Sequence, residues 1–192
     1  MNTIASYQEI LHFPKGGKPT LVPNEWLIWN PSEEEIQSAK LPNLGDGFQK
    51  VLVPFSWWRS QINSADQKLD LLAKANNGQI GVWFAADDDI LKYSDLIHAG
   101  KKIWSIIAID FPIFRDGRGY STAALLRQRF GWDGELRAIG DILIDQLIYL
   151  SRVGFDSFIL RDDQDIAIGL KQFDLFTVTN QNSWRAKRSI AE

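Results

Sequence analysis

Apolar residues in this chain come in two rhythms. From Val51 onward, apolar runs of about four to eight residues alternate with stretches whose apolar positions recur at helical spacing. The runs predict strands over 51–55, 80–85, 104–110, 136–139, 157–160 and 175–179. The stretches between them predict helices over 65–75, 89–99, 121–130, 142–153 and 164–173. Several of the strand runs are apolar at every position, as strands covered on both faces are, and the alternation with helices predicts a parallel sheet. Before Val51 the rhythm differs. Short β segments over 10–13, 20–22 and 26–29 flank a turn over 14–18, and the segment over 31–50 turns polar, with Glu33, Glu34, Glu35, Pro42, Gly45 and Gly47.

The expected fold is therefore α/β, a mostly parallel sheet of about six strands with βα repeats, preceded by a small N-terminal β unit. Four segments follow: the β unit over 1–30, a linker with at most one short helix over 31–50, the α/β domain over 51–179, and a polar C-terminal tail over 180–192. The tail carries Trp184, Arg185, Lys187 and Arg188 and reads as a solvated end or a docking peptide. An eight-stranded barrel usually needs about 200 to 250 residues, so the sheet is an open one or an incomplete TIM-like barrel. In both architectures ligands sit at the carboxyl ends of the strands.

Composition narrows the chemistry. The 192 residues are 45% apolar and 23% charged, enough for one substantial core, to which the eight Trp and eleven Phe should contribute most of the volume. With no cysteine, the chain has no thiolate nucleophile, no cysteine zinc site and no iron–sulfur ligands of its own. No G-x-G-x-x-G opens a helix after a strand, and Gly16-Gly17-Lys18 is followed by Pro19 where a phosphate loop requires Ser or Thr. The expectation is that the chain itself binds no cofactor and no metal. A net charge of −3 gives no global reason to expect nucleic acid or an anionic membrane as partner. The absence of a signal-like start or a long apolar window makes cytoplasm the expected location.

The stretch from Asp110 to Thr122 is the most unusual, running from a strand end into a helix start. Gly117 and Gly119 allow backbone to approach a ligand, Ser121 is placed to cap the helix, and Arg115 and Arg118 flank its positive end, so an oxyanion is the natural guest. The same stretch also reads as an ordinary βα loop with turn glycines and solvated arginines. Five of the ten arginines, at 115, 118, 127, 129 and 137, fall in this region, which favours the anion site. A second strand-to-helix junction follows at Glu135-Leu136-Arg137-Ala138-Ile139-Gly140-Asp141. There Arg137 can face the same mouth as Arg118, and Asp141 is the expected cap. Asp141, Asp145, Tyr149 and Arg152 then form one polar stripe, either solvent-facing or turned toward the site with Gln146. Asp87-Asp88-Asp89 reads as a helix cap before it reads as a cation site. The two histidines, His12 and His98, make no catalytic or metal pair.

These segments resemble a bacterial family of uncharacterised proteins described, from gene neighbourhood, as oxidoreductases involved in sulfite reduction and found with assimilatory sulfite reductase. The resemblance is carried by Gly81-Val82-Trp83-Phe84-Ala85 with Asp87 to Asp89, Ile109-Asp110-Phe111-Pro112, Asp116-Gly117-Arg118-Gly119-Tyr120-Ser121, Leu125-Leu126-Arg127, Gly134 to Ala138 with Gly140-Asp141, Asp145-Gln146-Leu147 and Gly154-Phe155-Asp156, and it spans roughly 51–178. The chain departs from the family pattern at Ile113 and Arg115, where Lys and Thr are common, and at Val153, often a Cys. A shorter likeness, Asp110-Phe111 followed by Gly117-Arg118-Gly119-Tyr120-Ser121, is similar to a strand-end loop of cyclic-dinucleotide phosphodiesterase barrels, whose metal-binding acids are not recognisable here.

The resemblance implies an accessory protein or small enzyme of sulfite reduction in cysteine biosynthesis. Its expected catalytic residues are Asp116, Arg118, Tyr120 and Asp141, and its expected binders of a small oxyanion are Arg115, Ser121, Arg137 and Gln146. The alternative is a non-catalytic partner of sulfite reductase that docks through exposed tryptophans such as Trp57, Trp58 or Trp184.

Overall fold

Two short strands open the chain, β1 (Glu9–His12) and β2 (Thr20–Pro23), joined by a turn in which Gly17 N donates to Pro14 O and Gly16 has φ +78°. Then follow β3 (Trp26–Ile28), α1 (Glu33–Gln37), β4 (Lys50–Pro54), α2 (Phe55–Gln61), α3 (Lys68–Asn76), β5 (Ile80–Phe84), α4 (Ser94–Gly100), β6 (Ile106–Phe111), α5 (Arg118–Gln128), β7 (Glu135–Gly140), a 3-10 turn (Ile144–Gln146), α6 (Leu147–Val153), β8 (Ser157–Phe158) and α7 (Ile166–Gln172). The structure, a computed structural model, describes residues 9–37, 41–42, 50–63, 68–175 and 184.

All eight strands belong to one sheet in the order β2-β1-β8-β7-β6-β5-β4-β3. The neighbours from β3 through β8 pair in parallel, whereas β1 runs antiparallel to both β8 and β2. The sheet is thus mixed, and the expected six-stranded parallel sheet holds only in part. The N-terminal strands do not precede the sheet: the β1–β2 hairpin forms one edge and β3 the other. The expected strand over 175–179 lies outside the described residues, except for Leu175.

Asn24 and Glu25 alone separate these two edges. In a flat eight-stranded sheet the outer strands would stand about 34 Å apart, at about 4.8 Å per strand, while three peptide links reach about 11 Å. The sheet therefore curls until its edges approach. Its two faces carry separate cores. The larger unites strand residues such as Val53, Val82, Ile107 and Leu136 with helix residues such as Trp57, Leu71, Leu126 and Leu150, so it is the outer, helix-covered face. The smaller, Ile10, Trp26, Leu52, Ile106, Ala108, Ile139 and Ile159, contains no helix residue and fills the inside of the curl.

Two helices depart from the sequence pattern. Phe55, expected as a strand end, instead begins α2 directly after Pro54. Its Trp57 and Trp58 are buried, and their rings meet Trp29 and Trp104 edge-on at 5.2 and 5.6 Å. Aromatic burial here overrides the weak helix propensity of a Phe-Ser-Trp-Trp run. The helix expected over 89–99 begins only at Ser94, because Asp89 Oδ1 accepts from the backbone N–H groups of Leu91 and Lys92 and holds a separate turn.

Candidate functional site

Because β3 to β8 are parallel, the residues that follow them gather at one end of the sheet. β6 alternates Ile107, Ile109 and Phe111 onto the outer core with Ile106 and Ala108 onto the inner one, which turns Asp110 inward at the carboxyl end. Asp110 is half-buried, and its carboxyl makes no hydrogen bond or ion pair among the described residues; burial alone pushes it up to about 6. Beside it, β7 ends on Gly140, in register with Phe111, at φ +93°. A Cβ at Gly140 would lie 2.4 Å from Phe111 O and 2.5 Å from Asp110 Oδ1, so only glycine fits here.

The other charged groups at this end are held in place by partners. Asp116 takes Arg118 through both carboxylate oxygens, Nε to Oδ1 at 3.0 Å and Nη2 to Oδ2 at 2.6 Å, and also accepts the Arg118 backbone N–H. These bonds hold the Asp116 carboxyl down to about 2 and raise the Arg118 guanidinium, toward which Asp87 also contributes. Arg118 remains 59% exposed, so the fork is oriented yet open to solvent. Asp141 Oδ2 accepts Phe114 N, and its Oδ1 accepts Arg161 Nη1 at 2.8 Å; Arg161 grips Asp163 with Nε and Nη2, holding that carboxyl at about 2. Asp88 Oδ2 accepts Ala85 N, and burial raises its carboxyl. Arg115 is exposed, with no partner among the described residues.

Gln146 ties the loop shut, donating to Phe114 O and accepting from Leu143 N. Tyr120 packs edge-on to Phe111 at 5.5 Å; burial raises its hydroxyl, against the pull of a hydrogen bond with Gln146. Arg115, Asp116, Arg118, Tyr120, Asp141 and Gln146 are thus gathered around the β6 and β7 carboxyl ends.

Arg137 is not among them. Strand alternation puts Glu135, Arg137 and Ile139 on the inner face, and Arg137 lies near the amino end of β7. There its guanidinium is spent on Glu135, Ser157 and Asn24, with a side chain 3% exposed. The convergence of Arg118 and Arg137 on one mouth is therefore corrected. Ser121 does not cap: α5 begins three residues earlier, at Arg118, with the Asp116 carboxylate receiving its first N–H. Nor does Asp141 cap a helix, since the 3-10 turn opens after Leu143.

Arg127 also leaves the cluster. It is buried, ion-paired with Asp156 and donating to the carbonyls of Gly154, Trp132 and Gly134. Trp57 and Trp58 are buried, and Trp184 is half-buried under Arg127 at 4.0 Å, so none of the three stands free as a docking residue. Among the described residues no three His, Asp or Glu groups are placed to hold a metal ion, and no helix is long and apolar enough to cross a membrane.

Sequence reasoning passed over Asp110 and Arg161. A signal for Asp110 existed: it is the first polar residue at the end of a wholly apolar run. Arg161 gave none, because its partner Asp141 sits on another βα junction.

Residues 81–191 match a family described as bacterial protein of unknown function (DUF934). No curated protein matches the chain, and neither does any solved structure.

Proposed function

The chain belongs to this bacterial family of unknown function, and from that premise we propose that it is an accessory protein or small enzyme of assimilatory sulfite reduction, handling a small oxyanion at the carboxyl mouth of its sheet. The pathway comes from the resemblance set out above, and a cytoplasmic location accords with such a role. The observation that carries the site is Asp110: a half-buried carboxyl without a partner among the described residues, pushed up to about 6 by burial, at the end of an α/β sheet where ligands bind. Such a group can give a proton to a bound oxyanion and recover it from water. In this reading Arg118, aimed by Asp116, and the unpaired Arg115 hold the anion, and Arg161 lines the rim.

Calorimetry with sulfite, on the wild-type chain and on Arg118→Ala, tests the binding half. Saturable binding lost in the variant supports the site, and equal heats from both overturn it. Growth on sulfate after deletion of the gene tests the pathway; unimpaired growth removes it.

A second reading, a non-catalytic partner docking on the reductase, is favoured by one observation. Ile113 and Phe114, 38% and 47% exposed, sit on the loop that carries Arg115.

A further inference from the structure

At the opposite end of the curl, beneath the inner core, lies an open cavity of about 230 Å³ lined by Ile10, Val22, Pro23 and Trp26 on its apolar side and by His12, Glu25, Glu135 and Arg137 on its polar side. The fixed cations around it are already paired. Each guanidinium nitrogen of Arg137 is engaged, Nε and Nη2 by Glu135 Oε1, Nε also by Ser157 Oγ, and Nη1 by Asn24 Oδ1. The Lys50 ammonium is bonded to Glu25 Oε2.

Acceptors remain. Glu135 Oε1 takes its bonds from Arg137 and Ser157, which leaves Oε2 without a hydrogen bond among the described residues; Glu25 Oε1 is likewise unengaged there. Burial alone would raise Glu135, but Arg137, Ser157 and, more distantly, His12 hold its carboxyl below the usual range, so it stays charged at neutral pH. An apolar wall facing unspent carboxylate oxygens selects a ligand that brings hydrogen-bond donors and a hydrocarbon part. A bare metal ion does not suit this lining, and no ligand cluster for one occurs among the described residues.

We propose that this cavity is a binding site for a small organic cation, an ammonium or guanidinium group on a short apolar stem, with Glu135 Oε2 as its charge partner and Trp26, Val22 and Ile10 around the stem. The site shares no residue with the mouth around Asp110, so either can fail without the other.

The chain has only two histidines, and His98 lies on α4 against Phe130, away from the cavity residues, so their ring protons give a probe and an internal reference. Titrating n-butylammonium chloride into the full chain should shift the His12 signals saturably and leave His98 in place, while sodium butyrate should do neither. Glu135→Gln should weaken the affinity at least tenfold. Because that variant also takes a partner from buried Arg137, Val22→Phe serves beside it: it fills the cavity from the apolar side with the polar network intact, and should abolish the shift. Equal responses to both ions, a shift that does not saturate, or an unchanged affinity in Val22→Phe would each overturn the proposal.

Discussion

Oδ1 of Asp110 stands 2.5 Å from the point where Gly140 would carry a Cβ. Two adjacent strands have thus fixed a carboxyl and the space beside it together. Replacing Gly140 with Ala should cost about 2 to 4 kcal/mol, from a residue forced to φ +93° and from its collision with Phe111 O. Urea unfolding measures this, and a loss below about 1 kcal/mol would show that the strand end relaxes freely.

The unpartnered state of Asp110 has a pH signature. Its folded-state value is raised from 3.8 to about 6, so its contribution to stability is greatest below pH 4 and falls as pH rises through 6. The shift corresponds to about 3 kcal/mol at 1.36 per unit; screening at the open rim reduces it to about 1 to 2. Asp110→Asn should be more stable than the wild type by that amount at pH 7 and by little at pH 4. Parallel pH profiles for the two proteins would remove the raised value.

Arg118→Ala should leave the melting temperature unchanged, since the side chain is mostly in solvent, and should abolish sulfite binding. Arg118→Lys separates charge from shape, because lysine keeps the charge and loses the two-pronged grip on Asp116. Undiminished binding in the lysine variant would show that the fork is not needed.

Arg127→Met should behave in the opposite way. It strands the Asp156 carboxylate and leaves the Gly154, Trp132 and Gly134 carbonyls without their donor, at a cost of about 3 to 5 kcal/mol. Growth on sulfate should fail only as far as folded protein is lost. A stable Arg127→Met that nevertheless fails to support growth would return Arg127 to the functional cluster.

The difference between these two arginines explains what the sequence could and could not reveal. The strands over 51–160 were legible because buried parallel strands are apolar at nearly every position. The loop from Asp110 to Arg118 was legible because glycines and charges interrupt that pattern. Arg127 and Arg137 looked the same as Arg118 in sequence; all three pair with a carboxylate, and what separates them is burial, which depends on neighbours such as Asn24, a partner of Arg137 far away along the chain. The fate of β3 was hidden for a similar reason. Three apolar residues after a hairpin look like its third strand until sheet pairing places them at the opposite edge.

The short Asn24-Glu25 link also bears on how the molecule is made. Leu11 pairs with Phe158, while Leu27 pairs with Val51, so the two ends of one short N-terminal stretch await partners synthesised at very different times. On a ribosome β3 can join β4 early, but the β1–β2 hairpin must wait until β8 emerges, leaving the inner core open to water for most of synthesis. The β1–β2 hairpin, made before β3, is thus seated after it, and it closes the curl like a latch whose hinge is Asn24.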